Sequence, residues 1–554
     1  MSLPPDTCPD DAPGAREIGF TVPARYNAAA ILFDNLASGN ADRPAIHHEA
    51  GTLTYTELCA AAARFGHGLL ALGLERSSRV LLLLDDTPAM PVAFFGALRA
   101  GLVPVPVNTL TPPDLVTYYL EHTGARVAVA EPALAGAVLD ASAGTPLRTL
   151  VVAGEAVSGT SAVEVTSLET LCAPHPAELA AADTSRDDMA FWLYSSGSTG
   201  RPKGIVHLHH DMPYTALSYA RHILKLTGDD ICFSVPKVFF AYGLGNTLTF
   251  PFSVGASSVL LAGRPDPARV DDAVARHRPT VFFGLPTLYT ALCHAPEAER
   301  ADTRSLRLCI SAAEVLSEEV AATWKRRTGL DIVQGLGSTE VLHIYLSNTA
   351  EAHRPGAAGR RVPGYEVSLR EPDGATEVPD GAEGILWVRG HSNAPGYWDR
   401  PDKTAETMRA EGWIFTGDRF LRDAHGFFEF RGRADDLVKV SGQWVHPMEV
   451  ELCLANHPAV REVAVLALEL PDRRMTLKAW VVPSDDTADP ATLTAVLQAH
   501  AKATLLPYKY PRLVELRPEL PKTGTGKIDR VALKARPSHA PAPAGTGQGG
   551  GNPP

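Results

Sequence analysis

The strongest constraint on this chain is an alternation. Continuous apolar runs at 80–84, 103–107 and 127–130 are separated by helix-length stretches at 91–100 and 118–123. Runs that are apolar without a polar alternation suit strands covered on both faces, as in parallel sheets, and strand–helix repetition predicts an α/β fold. The pattern resumes downstream, with strands expected at 231–235, 258–261, 281–283, 308–310 and 332–333 and helices at 267–276 and 317–327. Two helices are expected before it, one over 26–37 with Asn27 as cap, the other ending at Leu70 and capped by Thr56. At 554 residues the chain is too long for one core, and domains of roughly 50–250 residues imply two to four structural units.

An apolar run at 189–194 leads into Tyr194-Ser195-Ser196-Gly197-Ser198-Thr199-Gly200-Arg201-Pro202-Lys203-Gly204. Glycine permits close backbone approach to a ligand, consecutive N–H groups form an anion nest, and hydroxyls and a lysine add donors and charge. The stretch suits a phosphate chain, although a polar surface loop would share its composition. It lacks the spacing of a Walker A loop. Ligands in open α/β sheets lie beyond the carboxyl ends of strands. This stretch and the segments 311–315 and 334–340 all follow expected strands, so three distant loops can converge on one site.

Charge and cysteine content narrow the function further. A formal net charge of −12 and no dense basic stripe argue against a nucleic-acid partner. The seven cysteines are scattered, with no CxxC pair, which disfavours a disulfide framework or structural zinc and fits a reducing, cytoplasmic setting. The N-terminus lacks the pattern of a signal peptide. The most apolar long stretch, 89–107, is interrupted by Arg99, Pro104 and Pro106 and does not read as a membrane span. The Pro/Ala/Gly tail, 537–554, is expected to be disordered.

From Ala358 the texture changes to alternating runs at 366–369, 384–389 and 427–430, expected as antiparallel strands of a smaller sheet. A polar break at 431–436 divides a large domain, 1–434, from a small α+β domain, 435–536. Several short motifs carry possible chemistry. In Gly335-Leu336-Gly337-Ser338-Thr339-Glu340, Glu340 suits magnesium against phosphate oxygens, or is simply an acid in the first turn of a helix. In Phe415-Thr416-Gly417-Asp418 the aspartate suits two ribose hydroxyls, or a surface turn. Pro521-Lys522-Thr523-Gly524-Thr525-Gly526-Lys527 is a flexible loop with two lysines, or a linker. His207-Leu208-His209-His210-Asp211 invites a metal, but no zinc-enzyme spacing accompanies it. No GxSxG elbow is present, which disfavours a serine hydrolase.

Together the stretch 194–204, Gly337-Ser338-Thr339-Glu340, Thr416-Gly417-Asp418, Gly432-Arg433-Ala434-Asp435-Asp436 and 521–527 resemble, in order and spacing, the adenylate-forming superfamily of acyl-CoA synthetases and ligases, over residues 26–533. Phe239-Phe240-Ala241-Tyr242-Gly243-Leu244-Gly245-Asn246 and Leu342-His343-Ile344 resemble its benzoate-CoA ligase branch. The resemblance implies a large parallel-rich α/β domain with a smaller β subdomain, followed by a small mobile domain. It implies ATP, Mg2+ and coenzyme A, and a small aromatic carboxylic acid as substrate. It also implies roles for residues. Ser195, Ser196, Gly197, Ser198, Thr199, Gly200 and Lys203 would wrap the β- and γ-phosphates. Thr339 would bind phosphate, Glu340 magnesium, and Ala313 and Glu314 would border adenine. Asp418 would take the ribose, and Arg433 a phosphate or ribose oxygen. Asp435 would be the hinge, Gly442 would line the pantetheine channel, and Lys527 would serve adenylation and then leave. Ala241, Tyr242, Gly337, His343 and Ile344 would surround the ring, with Ala241 and Gly337 leaving room for it and His343 donating to the carboxylate or a substituent. Leu336 stands where many relatives place an aromatic residue against adenine. A stand-alone enzyme loading an aryl acid onto a carrier protein would share every nucleotide motif, and neither the acceptor thiol nor the oligomeric state follows from the sequence.

Overall fold

Burial on both faces is what the short apolar runs require, and parallel strands supply it. The computed structural model describes residues 13–158, 162–195, 201–295, 302–314, 316–434, 438–440, 443–470, 475–484, 489–506, 509–522 and 528–535. They fall in two compact units, Met1–Leu437 and Val438–Pro554. Among the described residues of the first, five strands run parallel in the order Val103–Pro106, Arg79–Leu83, Val127–Ala130, Thr149–Val152 and Glu164–Ser167. Helices Tyr55–Ala71 and Ala89–Arg99 meet where Gly66 faces Gly96: a Cβ on Gly96 would stand 2.5 Å from the carbonyl oxygen of Ala62, and one on Gly66 would stand 2.7 Å from that of Gly96. Only glycine permits that approach.

The helix starts differ from expectation. Thr54, not Thr56, caps Tyr55–Ala71. Its hydroxyl accepts from the Glu57 N–H at 3.2 Å, and Glu57 accepts from the Thr54 N–H at 2.8 Å, a reciprocal capping box. The helix expected over 26–37 contracts to Ala30–Phe33; the Asn27 side chain accepts the Ala29 N–H at 3.1 Å and donates at 2.8 Å to the Leu98 carbonyl.

A second sheet holds, among the described residues, nine strands. Its centre is parallel, in the order Pro44–His48, Ser257–Val259, Ile231–Ser234, Val281–Gly284, Leu308–Ser311 and Ile332–Gly337. Its edges are antiparallel, and there lies a second difference. The strand expected at 332–333 continues to Gly337 and turns back as Ile344–Ser347. Likewise Met189–Ser195 joins neither sheet but pairs antiparallel with its successor Lys203–Leu208. The strands on either side of the glycine-rich stretch therefore pair with each other rather than joining either of those sheets. Four antiparallel strands, Glu366–Arg370, Glu383–Arg389, Trp413–Arg422 and Phe428–Arg433, form the expected smaller sheet.

In the second unit, Val460–Glu469 and Met475–Pro483 pair antiparallel and Leu513–Leu516 adds in parallel. Glu451, on helix Pro447–Ala455, is buried and takes two hydrogen bonds from Arg530, at 2.9 and 2.7 Å, and one from the Val465 N–H at 2.7 Å. Lys522 and Ile528 pair antiparallel, and Lys522 is ion-paired to Glu462 at 2.6 Å. No helix among the described residues is long and apolar enough to cross a membrane, and no disulfide links the described cysteines.

Candidate active site

Lys203 opens its strand in register with Ser195. The other edge of that strand bonds to 396–398, through Val206 N–H to the Gly396 carbonyl and Trp398 N–H to the Gly204 carbonyl. This lays the Tyr397 ring under the Lys203 ammonium, 4.2 Å from the ring centre, within cation–π range. The Tyr397 hydroxyl donates to Glu340 Oε1 at 2.8 Å. Burial lowers the Lys203 pKa, and the Glu340 charge opposes the shift. A lysine, a phenol and a carboxylate from three distant segments thus form one cluster. Tyr397 was not singled out from sequence, since a Gly-Tyr-Trp triplet alone gives no pointer to a carboxylate far along the chain.

Glu340 sits in a strained turn. After Gly337 the chain makes a short 3₁₀ turn, Thr339–Val341, and Leu342 takes φ +71°, a left-handed conformation rare for a leucine. Three consecutive carbonyls of this turn are held by donors from elsewhere. His207 Nε2 donates to Thr339 O at 3.0 Å, Ala394 N–H to Glu340 O at 2.8 Å and Ser392 Oγ to Val341 O at 2.8 Å. The Ser338 hydroxyl beside them is buried with no hydrogen-bond partner among the described residues.

Asp418 and Arg433 face each other across neighbouring strands. Arg433 Nη1 donates to Asp418 Oδ1 at 3.1 Å, and Gly417, at φ +75°, leaves space that the guanidinium occupies. The Tyr345 phenol is driven well above its usual range, by burial first and then by the charges of Asp418 and Glu340, so both carboxylates lie within electrostatic reach of it. Ala313, just past strand Leu308–Ser311, has φ +77°, a conformation costing an L-residue roughly 1–2 kcal/mol. Its neighbour Glu314 is half-buried.

The aryl-acid residues differ in character. Ala241 begins a short helix, Ala241–Leu244, that passes into a π-helical turn, Gly245–Thr249. The His343 ring packs on Phe250 at 4.4 Å, Tyr219 at 5.2 Å and Tyr242 at 5.6 Å between ring centres. Its Nε2 lies 3.2 Å from Asn246 Oδ1. Burial pushes its pKa down to about 3, the Tyr242 backbone opposing, so the imidazole is neutral. At Gly337 a Cβ would stand 2.4 Å from the His343 carbonyl oxygen, so its missing side chain admits the returning strand. Ile344 packs toward Gly335, where a Cβ would meet its Cδ1 at 2.9 Å. The loop before Ala241 is anchored by Lys237, whose ammonium contacts Asp85 Oδ1 at 2.7 Å and the Leu261 carbonyl at 2.6 Å. Buried Asp86, pushed up to about 7 by desolvation, accepts the Val238 N–H at 3.0 Å.

Ser196, Gly197, Ser198, Thr199, Gly200, Asp435, Gly442, Lys527 and the tail 537–554 lie outside the described residues. The histidine cluster binds protein rather than forming a metal centre: His209 accepts the Ala28 N–H at 3.0 Å, and the His210 nitrogens meet the carbonyls of Arg186 and His391 at 3.0 and 2.8 Å. Among the described residues no group of three or more His, Cys, Asp or Glu is placed to hold a metal.

A large α/β unit with mixed sheets, followed by a smaller α+β unit, is the architecture of adenylate-forming enzymes. The pattern of the AMP-binding enzyme family matches residues 33–398, and that of the AMP-binding enzyme C-terminal domain matches 449–527. A benzoate–CoA ligase of Thauera aromatica is 43% identical over 93% of this chain and 97% of its own length. The crystal structure of an anthranilate CoA ligase with anthranoyl-AMP superposes with a TM-score of 0.87 at 36% identity, covering 93% of this chain and 98% of that one. That of a benzoate CoA ligase from Burkholderia xenovorans gives 0.84 at 41%, covering 92% and 100%. The chain belongs to the AMP-binding enzyme family, in the aryl-CoA ligase branch of the adenylate-forming superfamily. It is an AMP-forming acid–thiol ligase.

Proposed function

We propose that the enzyme activates benzoate, or a benzoate bearing one small amino or hydroxyl group, and passes the acyl group to coenzyme A. A carboxylate oxygen bonds to the α-phosphorus of ATP, the bridging P–O bond to the β-phosphate breaks, and pyrophosphate leaves. The coenzyme A sulfur then bonds to the acyl carbon, the mixed-anhydride C–O bond breaks, AMP leaves and the thiol proton passes to solvent. Activation is needed because a carboxylate resists attack until its charge is masked. Charge stabilisation and positioning carry such a step.

The observation that carries this reading is the Lys203–Tyr397–Glu340 cluster, an ammonium and a carboxylate prearranged around one ring. Lys203 and the 195–200 stretch would hold the β- and γ-phosphates, Asp418 the ribose, and Ala313 and Glu314 the edge of adenine. Mg2+ fits here: it binds through one or two carboxylates plus substrate phosphates rather than an all-protein cage, and the Glu340 carboxylate has one oxygen held by Tyr397. It would neutralise phosphate charge. Lys527 is assigned to adenylation, Asp435 to the hinge and Gly442 to the pantetheine passage. A neutral His343 among aromatic rings supports a flat, weakly polar acyl group, as do the aryl acids named for the related ligases. The scattered cysteines support a cytoplasmic setting.

The test is thiol-dependent AMP release with benzoate, 2-aminobenzoate, the three hydroxybenzoates, cinnamate and octanoate. kcat/KM is expected to be highest for benzoate or one singly substituted benzoate. Preference for octanoate or cinnamate overturns the acyl assignment. Release with an aryl carrier protein but not with free coenzyme A overturns the acceptor.

A further inference from the structure

The histidine cluster holds a buried pair that the reaction as described leaves unused. His207 and Asp211 are fully buried, four residues apart, with His207 Nδ1 2.9 Å from Asp211 Oδ2. The same oxygen accepts the Leu208 N–H at 3.0 Å, which pins the carboxylate at the start of helix Asp211–Thr215. Phe191 stacks on the imidazole at 5.1 Å and 23°, so the ring plane is fixed as well. The opposite nitrogen, Nε2, lies 3.0 Å from the carbonyl oxygen of Thr339. Both ring nitrogens face oxygen acceptors, Asp211 on one side and the Thr339 carbonyl on the other. The strained turn ending at Leu342 thus has its first carbonyl held by a ring fixed from behind by Asp211, and its next two by a backbone N–H and a hydroxyl.

We propose that His207, oriented by Asp211, is a positioning residue for the nucleotide half of the site: its Nε2–H fixes the Thr339 carbonyl and through it the placement of the Thr339 hydroxyl and the Glu340 carboxylate. This rests on the phosphate and magnesium roles given to those two residues above. His207 begins four residues after Lys203 on the same strand, so one strand sets both the lysine and the turn that answers it across Tyr397. The partners of metal ligands commonly change metal affinity or activity by roughly 10–100-fold when lost.

Two near-isosteric substitutions separate this role from core filling. Glutamine at 207 places an amide donor near the position of Nε2; asparagine places one near Nδ1 and leaves the Thr339 carbonyl without it. The measurement is aryl-acid-dependent ATP–pyrophosphate exchange, with the Mg2+ concentration for half-maximal rate, KM for MgATP, KM for the aryl acid and the melting temperature of each enzyme. His207→Asn is expected to lower kcat/KM for MgATP by about 10–100-fold and to raise the Mg2+ requirement, with the aryl-acid KM unchanged. His207→Gln is expected to stay within about threefold of wild type. Equal losses in two folded variants, or a loss that falls on the aryl-acid KM, overturn the proposal. Should His207→Asn not fold, His207→Gln decides alone: retained exchange upholds the role and a tenfold loss refutes it. A wild-type enzyme without exchange refutes the functional reading and this proposal with it, whereas an active wild type with indistinguishable variants refutes the proposal only.

Discussion

The two sides of the turn between Gly337 and Ile344 are held by different forces. On the Thr339–Glu340 side, successive carbonyls and one carboxylate oxygen each accept a directed hydrogen bond, from His207, Ala394, Ser392 and Tyr397. On the His343–Ile344 side, the imidazole meets Phe250 edge to face and lies tilted against Tyr219 and Tyr242, with its Nε2 near Asn246. Directed bonds fix the position of a charge, and packing fixes the shape of a wall. The nucleotide side should therefore respond to changes of donor or charge at constant volume, and the acyl side to changes of volume at constant polarity.

The sharpest way to break this contrast is Glu340→Gln, which keeps the shape and removes the charge. Pyrophosphate exchange is expected to fall about 100–1,000-fold, the scale of losing one electrostatic partner of a transition state, with the aryl-acid KM nearly unchanged. A loss confined to the aryl-acid KM would show that the carboxylate serves the acyl side. Tyr397→Phe is a gentler probe. It leaves a ring for Lys203 and removes only the hydroxyl on Glu340. A rise of about tenfold or more in the Mg2+ requirement is expected. An unchanged Mg2+ titration would mean that the hydroxyl does not place the carboxylate.

Volume is the probe for the other side. Gly245→Ala would put a Cβ 2.4 Å from His343 Cδ2 and force the ring aside. Overpacking of this kind costs about 1–3 kcal/mol. The expected kinetic signature is a change in the ranking of substituted benzoates, with the MgATP KM untouched. A shift in the MgATP KM instead would mean that the two sides are mechanically one.

How much of this was legible depended on whether a signal was local. Apolar runs such as 80–84 and 127–130 report burial directly, so the α/β class and its parallel sheets followed from them, and the ordered motifs led to the superfamily. Pairing was less visible. Residues 189–194 have the look of a central parallel strand, yet they pair with Lys203–Leu208, and nothing in either segment names its partner. Choosing Thr54 over Thr56 as cap required the reach of Glu57, a side-chain geometry that two nearby threonines share in sequence. Gly337 reads as a close approach, but a glycine signals missing volume without saying which neighbour needs it, and here the His343 carbonyl does. The residue types at 207–211 invited a metal although their spacing did not, because the acceptor that His207 meets, the Thr339 carbonyl, is a backbone atom with no sequence signature.

The smallest effect concerns the charge of His343. Its usual pKa of 6.5 is pushed down to about 3 in the folded protein by burial. Between those values the unfolded chain binds a proton that the folded chain does not, so this residue's contribution to stability is present above pH 6.5 and is lost as the pH falls toward 3. His209, pushed down to about 4, adds a loss of the same sign, so the wild-type slope alone does not isolate His343. A His343→Gln variant removes one titrating group and keeps an amide of comparable length. Between pH 7 and pH 6 the wild type should lose about 0.7 kcal/mol more than the variant, from linkage between the two pKa values. Denaturant unfolding of both proteins at the two pH values measures the difference. Equal losses would mean that the imidazole accepts a proton in place, and that the acyl wall carries a charge as the nucleotide side does.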